Sequence, residues 1–284
     1  MKRIYGFCRI RRVSGIETLV VRTTLIFSSE QAKLKISVIT VCYNSEATIR
    51  DTIESVLSQT YRDIEYIIID GASTDGTMGI VNEYLDKLGK VSSESDKGLW
   101  DAMNKGIQMS TGEYICFINS DDFFSGPQVI SDLANHVTKS NADAVFGYVD
   151  IVDKNELEKV VRRYRISRCS KWTFRLGMMP AHPGFLARRD LFESLGGFRL
   201  DSNDVAPDFE LMLRFLTKGN MRAALWPHVI VKMRNEGVSN KSFIDRLFRY
   251  KILAKSCEVN DVWTTPFLIF LKFPYKLFEY FRGA

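Results

Sequence analysis

The chain has 284 residues, 45% of them hydrophobic, with 39 Lys/Arg against 34 Asp/Glu and a formal net charge of +5. That is enough to bury one large core or a core plus a subdomain. The five cysteines, Cys8, Cys42, Cys116, Cys169 and Cys257, form no CxxC pair and read as reduced thiols of a cytosolic protein, and the histidines His136, His182 and His228 lie too far apart for zinc-ligand spacing.

The charge is unevenly placed. Residues 1–35 carry eight Lys/Arg against two acids, and residues 240–284 carry eight against four, which leaves a mildly acidic body. Basic ends on an acidic body do not resemble a nucleic-acid groove; they suit an anionic membrane surface. No stretch reaches the roughly 20 apolar residues of a transmembrane helix: "TTPFLIFLKFPYKLFEYF" (264–281) is broken by Lys272, Pro274 and Lys276. The start, "MKRIYGFCRIRRVSGIETLVVRTTLIF", has no clean apolar core or small-residue cleavage site, so no signal peptide is expected and 1–35 reads as a poorly defined extension.

"KISVITVCYN" is a continuous apolar run of strand length, as expected for a strand covered on both faces. "SEATIRDTIESVLSQ" follows as a helix with Ile49, Ile53, Val56 and Leu57 on one face and Asn44 or Ser45 as N-cap. "DIEYIIIDG" is the next buried strand and "TMGIVNEYLDKL" the next amphipathic helix, started near Asp75 and Thr77. A short extended piece near 91–95 precedes the helix "KGLWDAMNKGIQMS", and "GEYICFI" is the central strand. Alternation of strand and helix from 36 to 122 predicts a parallel, doubly wound α/β sheet, whose ligands bind beyond the carboxyl ends of the strands. Beyond 126, "DAVFGYVDIVD" and "EKVVRRYRI" read as a hairpin, "RLGMMPAHPGFLARR" as a loop feeding a strand, "DLFESLGGF" and "APDFELMLRFLTKG" as helices, and "RAALWPHVIVKM" as a strand.

Four polar clusters fall where chemistry is expected. Asn119-Ser120-Asp121-Asp122 ends the central strand, and carboxylates there suit a hard divalent cation held against a diphosphate; a turn or helix cap explains the same residues. "IDGASTDGT" (69–77) puts Asp70 and backbone amides at the sheet edge without a GxGxxG or P-loop pattern. In "SDKGLWDAMNKG" (95–106), Asp96 precedes the helix, Asn104 and Lys105 can reach an anion, and Asp101 and Lys105 can equally pair one turn apart. His182 stands among small residues and prolines in "PAHPGF", while Asp208 and Glu210 open a helix, where acids favour the dipole and a carboxylate can also serve as a general base. No GxSxG or DxDxT motif is present.

In this order, "SVITVCYN", "IDGASTDGT", "SDKGLWDAMNKG", "NSDD" and "HPGFLARRDLFESLGGF…PDFELMLR" resemble the family 2 glycosyltransferases, strongly over 36–125 and less closely over about 175–235. The subgroup is similar to bacterial transferases that build O-antigen, colanic-acid-like or capsular polysaccharides. The resemblance implies a GT-A fold, a Rossmann-like α/β, mostly parallel sheet flanked by helices, over 36–239. A nucleotide-sugar half (36–125) and an acceptor half (126–239) would precede a basic helical tail (240–284). It implies inverting transfer from a nucleotide sugar, a UDP-sugar foremost, to a hydroxyl acceptor, with Mn²⁺ or Mg²⁺ as cofactor. Tyr43, Asn44, Asp70, Asp96, Asn104, Lys105, Asn119 and Ser120 would surround the donor, and Asp121, backed by Asp122, would hold the metal. Asp208 would be the base with Glu210 as fallback, and His182 would face the acceptor or the diphosphate. Two departures stand out: Gly71 where many relatives carry a second acid, and Asn119 for the first acid of DxD.

The acceptor implied is a saccharide on a polyprenyl diphosphate at the inner face of the cytoplasmic membrane, with no nucleic-acid partner. Arg246, Arg249, Lys251 and Lys255 among Phe243, Leu247, Phe248 and Leu253 read as a basic amphipathic helix that lies on lipid or packs on the catalytic domain. The acceptor itself would be chosen by 155–185, with its basic, aromatic "RRYRISRCSKWTFR". A sugar-phosphate nucleotidylyltransferase and an inactive sugar-nucleotide-binding protein are the competing expectations.

Overall fold

The computed structural model describes residues 34–200, 204–235 and 243–272, together with two short strands nearer the N-terminus, and leaves the side chains of 243–247 undescribed. The membrane-helix reading of Phe243, Arg246 and Leu247 therefore lies outside the described residues. Residues 1–31 form one unit, in which strands β1 (Arg12–Val13) and β2 (Ile16–Glu17) pair antiparallel. Residues 32–284 form the other.

In this larger unit β3 (Ile36–Cys42) is buried at all seven positions, as its unbroken apolar run requires. Helix α1 (Ile49–Leu57) buries Ile49, Ile53 and Val56 as expected, but it begins after Thr48 with no side-chain cap. Asn44 and Ser45 do not cap it: Asn44 takes the left-handed conformation (φ 48°), a turn position that asparagine tolerates well. β4 (Ile64–Asp70), α2 (Thr77–Asn82), β5 (Lys90–Ser93), α3 (Leu99–Met109) and β6 (Tyr114–Phe117) follow as read, with α2 shorter than its pattern.

Next come β7 (Asp122–Phe124), α4 (Val129–Ser140), the hairpin of β8 (Ala144–Asp153) and β9 (Val160–Tyr164), and α5 (Lys171–Arg175). The described chain continues through β10 (Phe185–Arg188), α6 (Arg189–Leu195), α7 (Pro207–Thr217), β11 (Ala223–Asn235), α8 (Phe243–Glu258) and α9 (Pro266–Phe270). The pattern reading places no element at β7, α4 or α5. For α4 the signal is present, since Val129, Ile130, Leu133, Ala134 and Val137 recur at helical spacing and are buried. β7 and α5 are too short to show a period.

The strand order is β5-β4-β3-β6-β10-β8-β11-β7, with β9 added on β8. From β5 to β6 all neighbours run parallel, so their carboxyl ends share one edge. β10 then runs antiparallel to both β6 and β8, and the second half of the sheet is mixed. Two apolar clusters form the core. One holds Ile39, Ile67, Phe117, Phe146 and Phe209; the other holds Val38, Ile68, Cys116 and Ile130. Alternate residues of β3, β4 and β6 thus feed opposite faces of the sheet.

Candidate active site

The parallel strands end in a corner built from three loops. Asp70, at the end of β4, is fully buried and takes hydrogen bonds from the Ser73 amide (3.0 Å), the Ser93 hydroxyl (2.6 Å), the Ser73 hydroxyl and the Cys42 thiol (3.6 Å). A buried carboxylate is tolerable only when satisfied in this way. Through these contacts Asp70 ties the 71–74 loop to β5 at the floor of the corner. Above it, a Cβ on Gly71 would stand 2.6 Å from Asp96 Oδ2 and 3.5 Å from Tyr43 Cδ2. A side chain at 71 would have to displace the Asp96 carboxylate.

Tyr43 is 63% exposed, and Asp96 is fixed by a 2.7 Å hydrogen bond from the Gly98 amide. Asn44 spans the same rim: its amide donates to Ser73 Oγ (2.8 Å) and its Oδ1 accepts from the Thr74 amide (2.9 Å).

The Asn119–Asp122 loop joins this corner through a 2.8 Å hydrogen bond between the Ser120 and Ser45 hydroxyls. Asp122 is fully buried at the start of β7, where its carboxylate accepts from Asn119 Nδ2 (3.1 Å) and its carbonyl from Thr52 Oγ1 (2.7 Å). It braces the loop from below, while its Oδ1 is shut off from water with no hydrogen-bond partner. Asn119 is explained by the same contact, because an acid at 119 would repel Asp122 where an amide donates to it. Asn119 Oδ1 is shut off from water and has no hydrogen-bond partner.

Asp121 is partly exposed. Its backbone carbonyl accepts from Arg234 of β11, which also pairs with Asp51 and lies over the Phe123 ring at 5.2 Å. Sequence reading missed Arg234, since nothing near it in the chain points to residue 121. No group of three or more His, Cys, Asp and Glu converges among the described residues. A hard cation shared with a substrate diphosphate needs only one or two protein carboxylates, and the Asp121 carboxylate fits that role.

The third part comes from α7. Asp208 lies in its first turn, directly after Pro207, and its charge acts on His182. The His182 ring packs near Trp100 of α3 (6.0 Å) and Phe117 of β6 (6.3 Å), and its Nε2 is buried with no hydrogen-bond partner. Burial pushes the His182 pKa below its ordinary value, against the opposing pull of Asp208. His182 therefore sits near Phe117 at the end of β6, and Asp208 is close enough for its charge to act on the ring.

Three other residues expected in the site have partners within the fold. Glu210 is fully buried, bound by Arg214 (3.0 Å), Asn260 (3.1 Å) and Arg199 (3.5 Å), and cannot act as a fallback base. Asn104 spends its side-chain amide on the Phe198 backbone, accepting from N and donating to O at 2.8 Å each. Lys105 is held by Glu94 (3.0 Å), the Ser95 carbonyl (3.0 Å) and Asp101 (3.9 Å), so it closes the loop before α3. The start of α7 is tied in turn to α8, where Ser256 Oγ accepts from the Ala206 amide at 3.0 Å.

Residues 37–196, from β3 to the end of α6, match the family model described as Glycosyl transferase family 2. The chain belongs to this family. It is 27% identical over 228 residues to a PGL/p-HBAD biosynthesis glycosyltransferase of Mycobacterium bovis, covering 74% of this chain and 83% of that one. It is 37% identical over 112 residues to the UDP-Glc:alpha-D-GlcNAc-diphosphoundecaprenol beta-1,3-glucosyltransferase WfaP of Escherichia coli, covering 39% and 43%. Its fold is similar to that of S. aureus TarS 1-349 in complex with UDP-GlcNAc, with a TM-score of 0.62 at 20% identity over 78% of this chain and 66% of TarS. This family 2 glycosyltransferase is thus an enzyme with the GT-A fold, and the nucleotidylyltransferase expectation falls with that assignment. The family match contains every part of the corner from Tyr43 to His182 but stops short of Asp208.

Proposed function

We propose that this family 2 glycosyltransferase transfers a sugar, with inversion, from a UDP-sugar to a hydroxyl of a lipid-linked saccharide in surface-polysaccharide synthesis, at the inner face of the cytoplasmic membrane. The observation that carries the reading is convergence. The Tyr43–Gly71–Asp96 corner and the Asp121 loop join at the carboxyl ends of β3, β4 and β6, and His182, which packs near Phe117 at the end of β6, feels the charge of Asp208. The UDP-GlcNAc complex of TarS and the diphosphoundecaprenol named for WfaP support the donor and acceptor classes.

In this reading Tyr43 and Asp96 hold the nucleoside, with Asn44 shaping the rim. Asp121 holds a Mn²⁺ or Mg²⁺ ion, which when bound offsets the charge that grows on the departing diphosphate. Asp208 accepts the proton of the acceptor hydroxyl as its oxygen bonds to the anomeric carbon. The bond from that carbon to the diphosphate oxygen breaks, and the diphosphate leaves with the electron pair from the opposite face, which inverts the centre. His182, half-buried with its pKa lowered, stays neutral near the base and does not compete for the proton.

The test is release of nucleoside diphosphate from UDP-, GDP- and dTDP-sugars with Mn²⁺ or Mg²⁺, with and without a polyprenyl-diphosphate saccharide. UDP release stimulated by the lipid-linked acceptor is expected. Failure to turn over any of the three donors would overturn the reading.

A further inference from the structure

Helix α8 buries Tyr250, Leu253 and Cys257, and it packs on α5, α7 and α9. One face of that helix is therefore in the protein core, while Phe248, Arg249 and Lys251 on its other side are exposed. Beside it stands an unusual set of exposed aromatics: Trp172 (59% exposed) on α5, Trp263 (66%) just before α9 and Phe267 (70%) on α9. α9 has two sides, since Ile269 is fully buried while Phe267 and Leu271, one turn apart, face outward.

Between the two indoles lies Arg175, its guanidinium 4.9 Å from the Trp172 ring and 5.0 Å from the Trp263 ring. No carboxylate pairs with it among the described residues, and its Nε is shut off from water with no acceptor. An arginine flanked by exposed indoles and lacking an anion is a site that wants one. Residues 171–175 and 248–272 together hold six Lys/Arg against two acids. A groove of about 780 Å³ is lined by residues of α8, by Asp261–Thr264 and Pro266, and by Asp204.

We propose that the face formed by Trp172, Arg175, Trp263 and Phe267 seats the enzyme on an anionic lipid bilayer. The indoles and Phe267 enter the headgroup–acyl boundary, where tryptophan is favoured, and Arg175 meets a lipid phosphate. The charge of the surrounding segments matches anionic headgroups, and the next residues, "FPYKLFEYFRGA" (273–284), repeat the aromatic and basic composition. An exposed aromatic patch of this kind on a water-soluble face would otherwise invite aggregation. This contact would serve the transfer proposed above, yet lipid binding and donor turnover can fail separately.

The experiment is co-sedimentation of the full chain with phosphatidylcholine vesicles, with and without phosphatidylglycerol, paired with quenching of tryptophan fluorescence by brominated phosphatidylcholine. Binding is expected to need phosphatidylglycerol, to weaken with salt and to quench the fluorescence. Trp263→Ala and Phe267→Ser should each weaken partitioning about tenfold. Arg175→Gln should remove the preference for phosphatidylglycerol. UDP release from a UDP-sugar without lipid acceptor should stay at the wild-type rate in all three, showing that they fold. Phe267 is mostly exposed and has little packing to lose, so Phe267→Ser keeps the test decisive if Trp263→Ala unfolds. Absence of wild-type binding, absence of quenching, or unchanged binding by Phe267→Ser and Arg175→Gln would overturn the proposal. So would a concentration-dependent dimer abolished by Phe267→Ser, which would assign the face to a second copy.

Discussion

At the residue scale, the two acids that open α7 have opposite fates. Asp208 is partly exposed beside His182, whereas Glu210 two positions on is locked by Arg214, Arg199 and Asn260. Helix geometry causes the split, because residues two apart face different sides. Asp208→Asn should lower kcat by about 10²–10⁴ while donor affinity, measured by calorimetry, is kept. Glu210→Gln should leave kcat per folded molecule nearly unchanged and reduce stability in urea by about 3 kcal/mol, because the buried Arg214 loses its counter-charge. The reverse pattern would exchange their roles. His182 supplies a pH test. Its folded pKa lies below the unfolded value of 6.5, so the unfolded chain binds the extra proton first, and stability falls as pH drops below that value. His182→Phe should flatten this slope in urea midpoints measured across pH, while an unchanged slope would show that His182 does not titrate as a buried neutral group.

At the element scale, α8 separates the two readings its sequence left open. Its apolar stripe is plain in the sequence, but a stripe does not say whether lipid or protein covers it. Tyr250, Leu253 and Cys257 answer that by packing inward, and the buried Ser256 and Asn260, on α8 and just past its end, hold Ala206 and Glu210 of the α7 start. A C-terminal helix thus fixes the angle at which Asp208 meets the site. Ser256→Ala would take the acceptor from the part-buried Ala206 N–H. It should cost about 1–3 kcal/mol in urea and lower kcat with little change in donor KM. A proportionate rise in donor KM would place the helix's influence on the nucleotide corner instead.

At the scale of the whole molecule, the proposed function links the donor, the cation and the fold through Asp121. With UDP-sugar and Mn²⁺ together at about 100 times Kd, linkage adds about 2.7 kcal/mol and should raise Tm by about 4 °C. EDTA or Asp121→Ala should remove most of that shift and most transfer. A full shift in EDTA would show that the diphosphate is held without a metal. Much of this site was legible before any fold was known. Unbroken apolar runs ending in Tyr43, Asp70 and Asn119 put three polar clusters at strand ends, and a parallel sheet brings such ends to one edge. Local composition by itself determined the α/β alternation of the first half, the positions of the loops and the residue types available for chemistry. What only the tertiary structure decided was which of those side chains face the cleft. Asp70, Asn104, Asp122 and Glu210 are spent on partners 3 to 94 residues away, and Arg234 reaches Asp121 across 113. A carboxylate or amide reads the same in sequence whether it binds substrate or braces a loop; its burial and its partners are set by packing between distant segments, which periodicity along the chain does not encode.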